Sequence, residues 1–154
     1  MKELEFKEID VIGAETLDVI SKADAFNQWT YQRIQPFCKG KILEIGSGVG
    51  NISTYFLDAG QQLHLSDVRP HYCQVLEKRF AHLPNCDGIT HLDWIAPDFE
   101  TRYAHLLGQF DTIFSLNVLE HIHDDAQALQ NAQLLLKPQG RLLILVPSYQ
   151  WLYN

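Results

Sequence analysis

Cysteine is scarce in this chain, and the three present are not arranged for metal or disulfide chemistry. Cys38, Cys73 and Cys86 lie 35 and 13 residues apart, with no CxxC pair. That spacing excludes a zinc-finger pattern, and an odd count argues against a disulfide framework. Cys73 and Cys86 are expected to pack as small apolar side chains. A basic block is also missing: twelve Lys plus Arg stand against nineteen Asp plus Glu, a net charge of −7. This argues against a broad electrostatic face for nucleic acid or for an anionic membrane. No apolar run approaches the ~20 residues of a membrane-spanning helix. The opening MKELEFKEID lacks the apolar core of a secretion signal, which points to a cytoplasmic protein. What remains is globular material: 154 residues, 46% apolar and 20% charged. That is one domain, or part of one, with enough chain to bury a real core.

Residues 14–36 read as helical, with Phe26, Trp29, Ile34 and Phe37 on one stripe. Asp24 or Asn27 could cap a second short helix within this stretch. Pro36 disfavours helix at Gln35, and Lys39-Gly40 turns the chain. Strands then alternate with helices. Strands are expected over residues 41–45, 62–66, 110–116 and 141–146, with a weak one within 86–92. Helices are expected over 51–59, closed by Gly60, and from Pro70 to about residue 81. Residues 98–108 form a helix or an ordered loop. A last helix carries Ile122, Ala126, Leu129, Ala132 and Leu136 on one face and ends at Lys137-Pro138-Gln139-Gly140. The unbroken apolar strand after Arg141 suits a parallel sheet covered on both faces. The alternation predicts a doubly wound α/β sheet with right-handed crossovers.

Chemistry concentrates at the strand exits. Glu44-Ile45-Gly46-Ser47-Gly48-Val49-Gly50-Asn51 lies between an apolar strand and a helix, where glycines let backbone approach a ligand. The dinucleotide pattern GxGxxG would need glycine where this chain has Asn51. Glu44 at the strand end would repel a pyrophosphate but suits a ligand with positive charge. Asp67 ends the second strand, 21 residues after Gly46, where an acid can bond ribose hydroxyls. In Leu92-Asp93-Trp94, the acid can accept from an adenine amino group and the indole can cover a ring face. Asn117 stands at the exit of the fourth strand, the topological switch point. The following run of Glu120, His121, His123, Asp124 and Asp125 is a poor metal site, because His121 and His123 are two apart and diverge on a helix. Acids in a first helical turn are expected from the dipole alone. A general-base role stays open for His121 or His123, and a ligand contact for Tyr31.

Together these pieces resemble the class I S-adenosylmethionine-dependent methyltransferases, of the small-molecule type with LEH after the fourth strand. ILEIGSGVGNIS, LSDVRP, HLDW, FDTIFSLNVLEHI and LKPQGRLLILVP occur in order over residues 40–147. The resemblance implies a Rossmann-like sheet of order 3-2-1-4-5 and S-adenosylmethionine as cofactor. It implies that Gly46 and Gly48 shape the loop under the methionyl and ribose parts. Glu44 would orient that loop and the methionine ammonium, and Asp67 would take the ribose hydroxyls. Val68 and Trp94 would flank adenine, Asp93 would take its amino group, and Asn117 would meet the methionine amine. No catalytic residue is assigned, because methyl transfer asks the protein mainly for proximity and alignment.

The resemblance makes residues 1–39 a helical lid and 40–154 the cofactor-binding domain, with a small-molecule substrate and no metal. The family usually continues past the fifth strand with a helix and two more strands. Here the chain stops at Asn154, and Leu142-Leu143-Ile144-Leu145-Val146 would be an edge without the charges, prolines or bulges that blunt one. The expectation is a front portion of a longer protein, or self-association through the fifth-strand edge. Two other readings stand beside it: a non-catalytic cofactor-binding module or partner subunit, and a nicotinamide-dependent oxidoreductase. Asn51 and Glu44 argue against the latter.

Overall fold

Two short strands set the frame, because every residue in them is buried. A computed structural model describes residues 24–148. β1 (Ile42–Ile45) and β2 (Leu63–Asp67) are buried throughout. They pair in parallel, Ile42 opposite Leu63, and β1 pairs in parallel with β4 (Phe110–Leu116), Ile42 opposite Thr112. β3 (Cys86–His91) and β5 (Leu136–Leu145) complete five strands in the order β3-β2-β1-β4-β5. The expected sheet order and the central β1–β4 neighbours are both present.

Successive side chains of a strand point to opposite faces, and the two faces bury two cores. Ile42, Leu63, Leu65 and Phe114 meet Phe56 and Leu57 of α2 (Asn51–Asp58) and Leu76 and Phe80 of α3 (Pro70–Phe80). Leu43, Ile45 and Ile113 meet Phe99 of α4 (Phe99–Arg102), Tyr103 and Leu106. The same core takes Ala128, Ala132 and Leu135 of α5 (Asp125–Leu135). Helices on both faces make the sheet doubly wound. None of the described helices is long and apolar enough to cross a membrane. Cys38 and Cys73 are buried and Cys86 is half-buried, as small apolar packing requires.

Three local expectations are corrected. α1 (Asp24–Ile34) buries Asn27 and Thr30, while Phe26 and Trp29 are 46% and 49% exposed. The helix can turn this face inward because Thr30 Oγ1 donates to Phe26 O at 2.9 Å, so its hydroxyl is already satisfied. Tyr31 fixes the packing by stacking on Tyr55 and meeting Phe56 edge-on, with ring centres 5.5 and 4.9 Å apart. The aromatics of the expected stripe instead stack on each other at 6.1 Å, with the Arg33 guanidinium 5.5 Å from the Trp29 ring centre. The rest of that expected helix, residues 14–23, lies outside the described residues. α1 ends at Ile34 and a 3-10 turn over Gln35–Phe37 carries Pro36, as its missing N–H demands.

The second correction is the face of α5. Ala128, Asn131, Ala132 and Leu135 face inward, while Ala126 is exposed and Leu129 largely so. Small residues let the helix approach the sheet, and Asn131 is accommodated because its Nδ2 donates to Trp94 O at 2.8 Å. Asp124 caps the helix, accepting from Gln127 N–H at 2.9 Å. The third concerns residues 137–140. Leu136 already pairs with Phe110, and the register then shifts so that Arg141 meets Thr112. Gln139 takes a left-handed φ of 65° within this irregular segment. β5 therefore does carry a bulge and Pro138 in its first half, though residues 141–145 pair with β4 regularly. Among the described residues, the outer edge of β5 pairs with no strand.

Candidate functional site

The carboxyl ends of β1, β2 and β4 meet around the glycine loop, and hydrogen bonds from β2 hold the loop down. Gly46 N–H and Ser47 N–H both donate to Ser66 O, at 2.9 and 2.8 Å. Gly50 N–H closes the turn on Ser47 O at 2.8 Å. The glycines serve different ends. A Cβ on Gly46, whose φ is +82°, would overlap the Val118 side chain, so the loop and the β4 exit approach as only glycine permits. A Cβ on Gly50 would overlap Phe80, the close approach of loop to α3. A Cβ on Gly48, with φ +55°, would meet nothing within 4 Å. Here bare backbone faces open space, which is what a ligand cradle needs.

Asp67 ties the cradle together. It is 7% exposed, and its Oδ2 accepts Gly48 N–H at 2.9 Å while Oδ1 accepts Arg69 N–H at 2.9 Å. Each carboxylate oxygen has a further lone pair, so both can still accept from a ligand hydroxyl. Glu44 lies beneath the loop, with Ser53 Oγ of α2 donating to its Oε2. Ser66 Oγ donates to the Glu44 carbonyl at 2.8 Å. Burial pushes the Glu44 carboxyl up to about 7; the serine hydrogen bonds oppose the rise and the charge of Asp67 adds to it. Burial pushes the Cys38 thiol up to about 12, with the charge of Glu44 adding to it, so this cysteine packs and does not react.

The remaining expected positions divide. Val68 and Asp93 are half-buried at the exits of β2 and β3. Asp93 Oδ1 accepts Ile95 N–H at 3.1 Å. Trp94 is 3% exposed and packs within the core that holds Phe99, Tyr103 and Leu106, so its indole has almost no face to offer a ligand. Asn117 is exposed, in a left-handed turn with φ 56°, and its N–H is taken by Leu145 O at 2.8 Å. Its carbonyl and amide are what it can present. His121 and His123 are exposed, and His121 Nε2 lies 3.9 Å from Glu120 Oε1. Among the described residues no three His, Cys, Asp or Glu converge as a metal site. Tyr31 packs on α2 as described above.

Several supports were not expected from sequence. Ser53 under Glu44 and Val118 over Gly46 hold the floor. Arg79 of α3 donates to Val49 O from outside the loop and to Thr54 Oγ1 at 3.2 Å. His91 and Tyr103 brace the β3 exit. Each is a contact across nine to seventy-two residues, to which no local pattern points.

Comparison with known proteins gives this site a family. The methyltransferase-domain family profile matches residues 43–142, the stretch from β1 into β5. The chain is similar to the ubiquinone biosynthesis O-methyltransferase of Xanthomonas euvesicatoria pv. vesicatoria, 28% identical over 104 residues, 68% of this chain and 41% of that protein. It resembles the solved phospholethanolamine N-methyltransferase 2 of Haemonchus contortus, in complex with phosphomonomethylethanolamine and S-adenosylhomocysteine. That likeness has a TM-score of 0.63 at 25% identity, over 78% of this chain and 27% of the other. A Methanococcus maripaludis protein shares the fold with TM-score 0.64 at 24% identity, over 94% of this chain and 66% of that one. The chain thus spans less than half the length of the curated relatives it matches first.

Proposed function

Since the chain belongs to the methyltransferase-domain family, we propose that it carries the cofactor site of an S-adenosylmethionine-dependent methyltransferase acting on a small molecule. One observation carries the reading: two acids, Glu44 and Asp67, surround a glycine cradle open at Gly48. A carboxylate pair disfavours phosphate and suits a ligand bearing an ammonium and a sulfonium. S-adenosylmethionine supplies a methyl carbon already activated by its sulfonium.

The chain's own residues bind and align. Asp67 takes ribose hydroxyls on its remaining lone pairs. Glu44 sets the loop from beneath, and a methionine ammonium nearby would favour its ionised form. Gly46 and Gly48 provide backbone at close range, Val68 and Asp93 flank and read adenine, and Asn117 presents its carbonyl or amide to the methionine amine. The lid assigned to residues 1–39 is supported by α1, which seats Tyr31 on α2 beside the loop. Among the described residues no strand pairs with the outer edge of β5, which supports association with a second copy, testable by sedimentation.

Calorimetric titration with S-adenosylhomocysteine and with NAD tests the reading. The expected result is micromolar or tighter binding of the first and none of the second. Binding of NAD alone would refute it.

A further inference from the structure

Two side chains given no role by the resemblance, Tyr103 and His91, converge on the two loops assigned to adenine. Tyr103 follows α4 and is 3% exposed. Its hydroxyl accepts Asp93 N–H at 2.8 Å and donates to His91 O at 3.3 Å. His91 is the last residue of β3, and its Nε2 lies 2.8 Å from Val68 O. A carbonyl only accepts, so this ring nitrogen carries the proton. Val68, His91, Tyr103 and Asp93 are therefore linked in one chain of hydrogen bonds across the exits of β2 and β3.

We propose that Tyr103 and His91 are positioning residues that give the cofactor site its selectivity for adenine, by fixing Asp93 and Val68 against each other. The inference rests on the assignment of adenine to those two residues. A carboxylate accepts a hydrogen bond from an exocyclic amino group. Hypoxanthine has an oxygen at that position, and two acceptors would then face each other. Such discrimination requires that the acid not swing away. Ile95 N–H holds the Asp93 carboxylate itself, the Tyr103 hydroxyl holds the backbone that carries it, and His91 holds the opposite wall through the Val68 carbonyl.

The test is calorimetric titration of the chain with S-adenosylhomocysteine and S-inosylhomocysteine. Wild type should prefer the adenine ligand by about tenfold or more. Tyr103→Phe should weaken the adenine ligand by about five- to tenfold, leave the inosine ligand nearly unchanged, and add nothing in an Asp93→Ala background. His91→Ala, at an exposed residue, probes the same chain of bonds should the buried tyrosine variant fold poorly, and should narrow the preference in the same way. Retention of the wild-type preference by both variants, or an equal loss of both ligands, would overturn the proposal. An intact preference in Asp93→Ala alone would instead overturn the adenine assignment beneath it.

Discussion

Polar side chains are buried or half-buried at both ends of the central strands, and the two ends are built differently. At the amino end, Asp87 lies 2.9 Å from Lys41 Nζ, 2.9 Å from Gln62 Nε2 and 3.3 Å from His64 Nδ1. His64 Nε2 reaches Thr90 Oγ1 at 2.8 Å. Burial would raise the Asp87 carboxyl, but the bonds and charges of Lys41 and His64 outweigh it and hold it below the ordinary carboxylate range. Burial holds the His64 ring below its ordinary value. At the carboxyl end the buried groups are Glu44 and Asp67, of one sign. Among the described residues neither meets a Lys, Arg or His within ion-pair distance. Buried charges are normally paired. The amino end pairs its own and is structural. The carboxyl end holds two acids and no paired cation, so Glu44 keeps its proton up to about pH 7 and a cationic ligand would favour its loss.

Breaking the paired end should have the largest effect on stability. Asp87→Ala removes the shared acceptor of Lys41, Gln62 and His64 and should cost about 2–3 kcal/mol in urea unfolding. Affinity for S-adenosylhomocysteine should not change. Lost affinity with stability intact would erase the distinction between the ends.

The two ends should also answer pH in opposite senses. Glu44 rises from an ordinary 4.5 to about 7 on folding, so the folded chain holds this proton more tightly. The stabilisation is full below the ordinary value and drains as pH rises through the folded one. Glu44→Gln cannot ionise, and its melting temperature should gain on wild type between about pH 5 and pH 8. A gap that narrows over that range would mean Glu44 is not buried as described. His64 is lowered from 6.5, so acidification below that value costs the folded state. His64→Gln should accordingly gain on wild type as pH falls below it.

The smallest effect is expected in the cradle. Gly48→Ala meets open space but keeps φ at +55°, a strain of about 1 kcal/mol. Gly50→Ala would overlap Phe80 and should lose more stability. The reverse ranking, by thermal unfolding, would deny that Gly48 lines free space.

How much of this was legible follows from where each signal lives. β4 keeps its expected bounds, since Phe110, Ile113 and Phe114 within 110–116 are fully buried. The buried faces of α1 and α5 depart from the sequence expectation because hydrogen bonding and close approach outweigh size and hydrophobicity there. Thr30 buries its hydroxyl on its own helix, and Ala128 comes nearer the sheet than Leu129 could. Residues 137–140 read as a turn, yet the pairing of Leu136 with Phe110 lies far off in sequence. In the site, the loop glycines, Glu44 and Asp67 are local to strand exits and were visible. Trp94 looked like a ring-stacking residue because a lone indole after an acid carries no sign of whether its face is covered. Ser53, His91 and Tyr103 act through contacts that only folding creates.

The most direct test of the contrast between the two ends is a calorimetric titration of S-adenosylhomocysteine into Asp67→Ala beside Asp87→Ala. Asp67→Ala should lose about 2–3 kcal/mol of binding through its charge-assisted hydrogen bonds, while Asp87→Ala binds as wild type. Undiminished binding by Asp67→Ala would contradict the account.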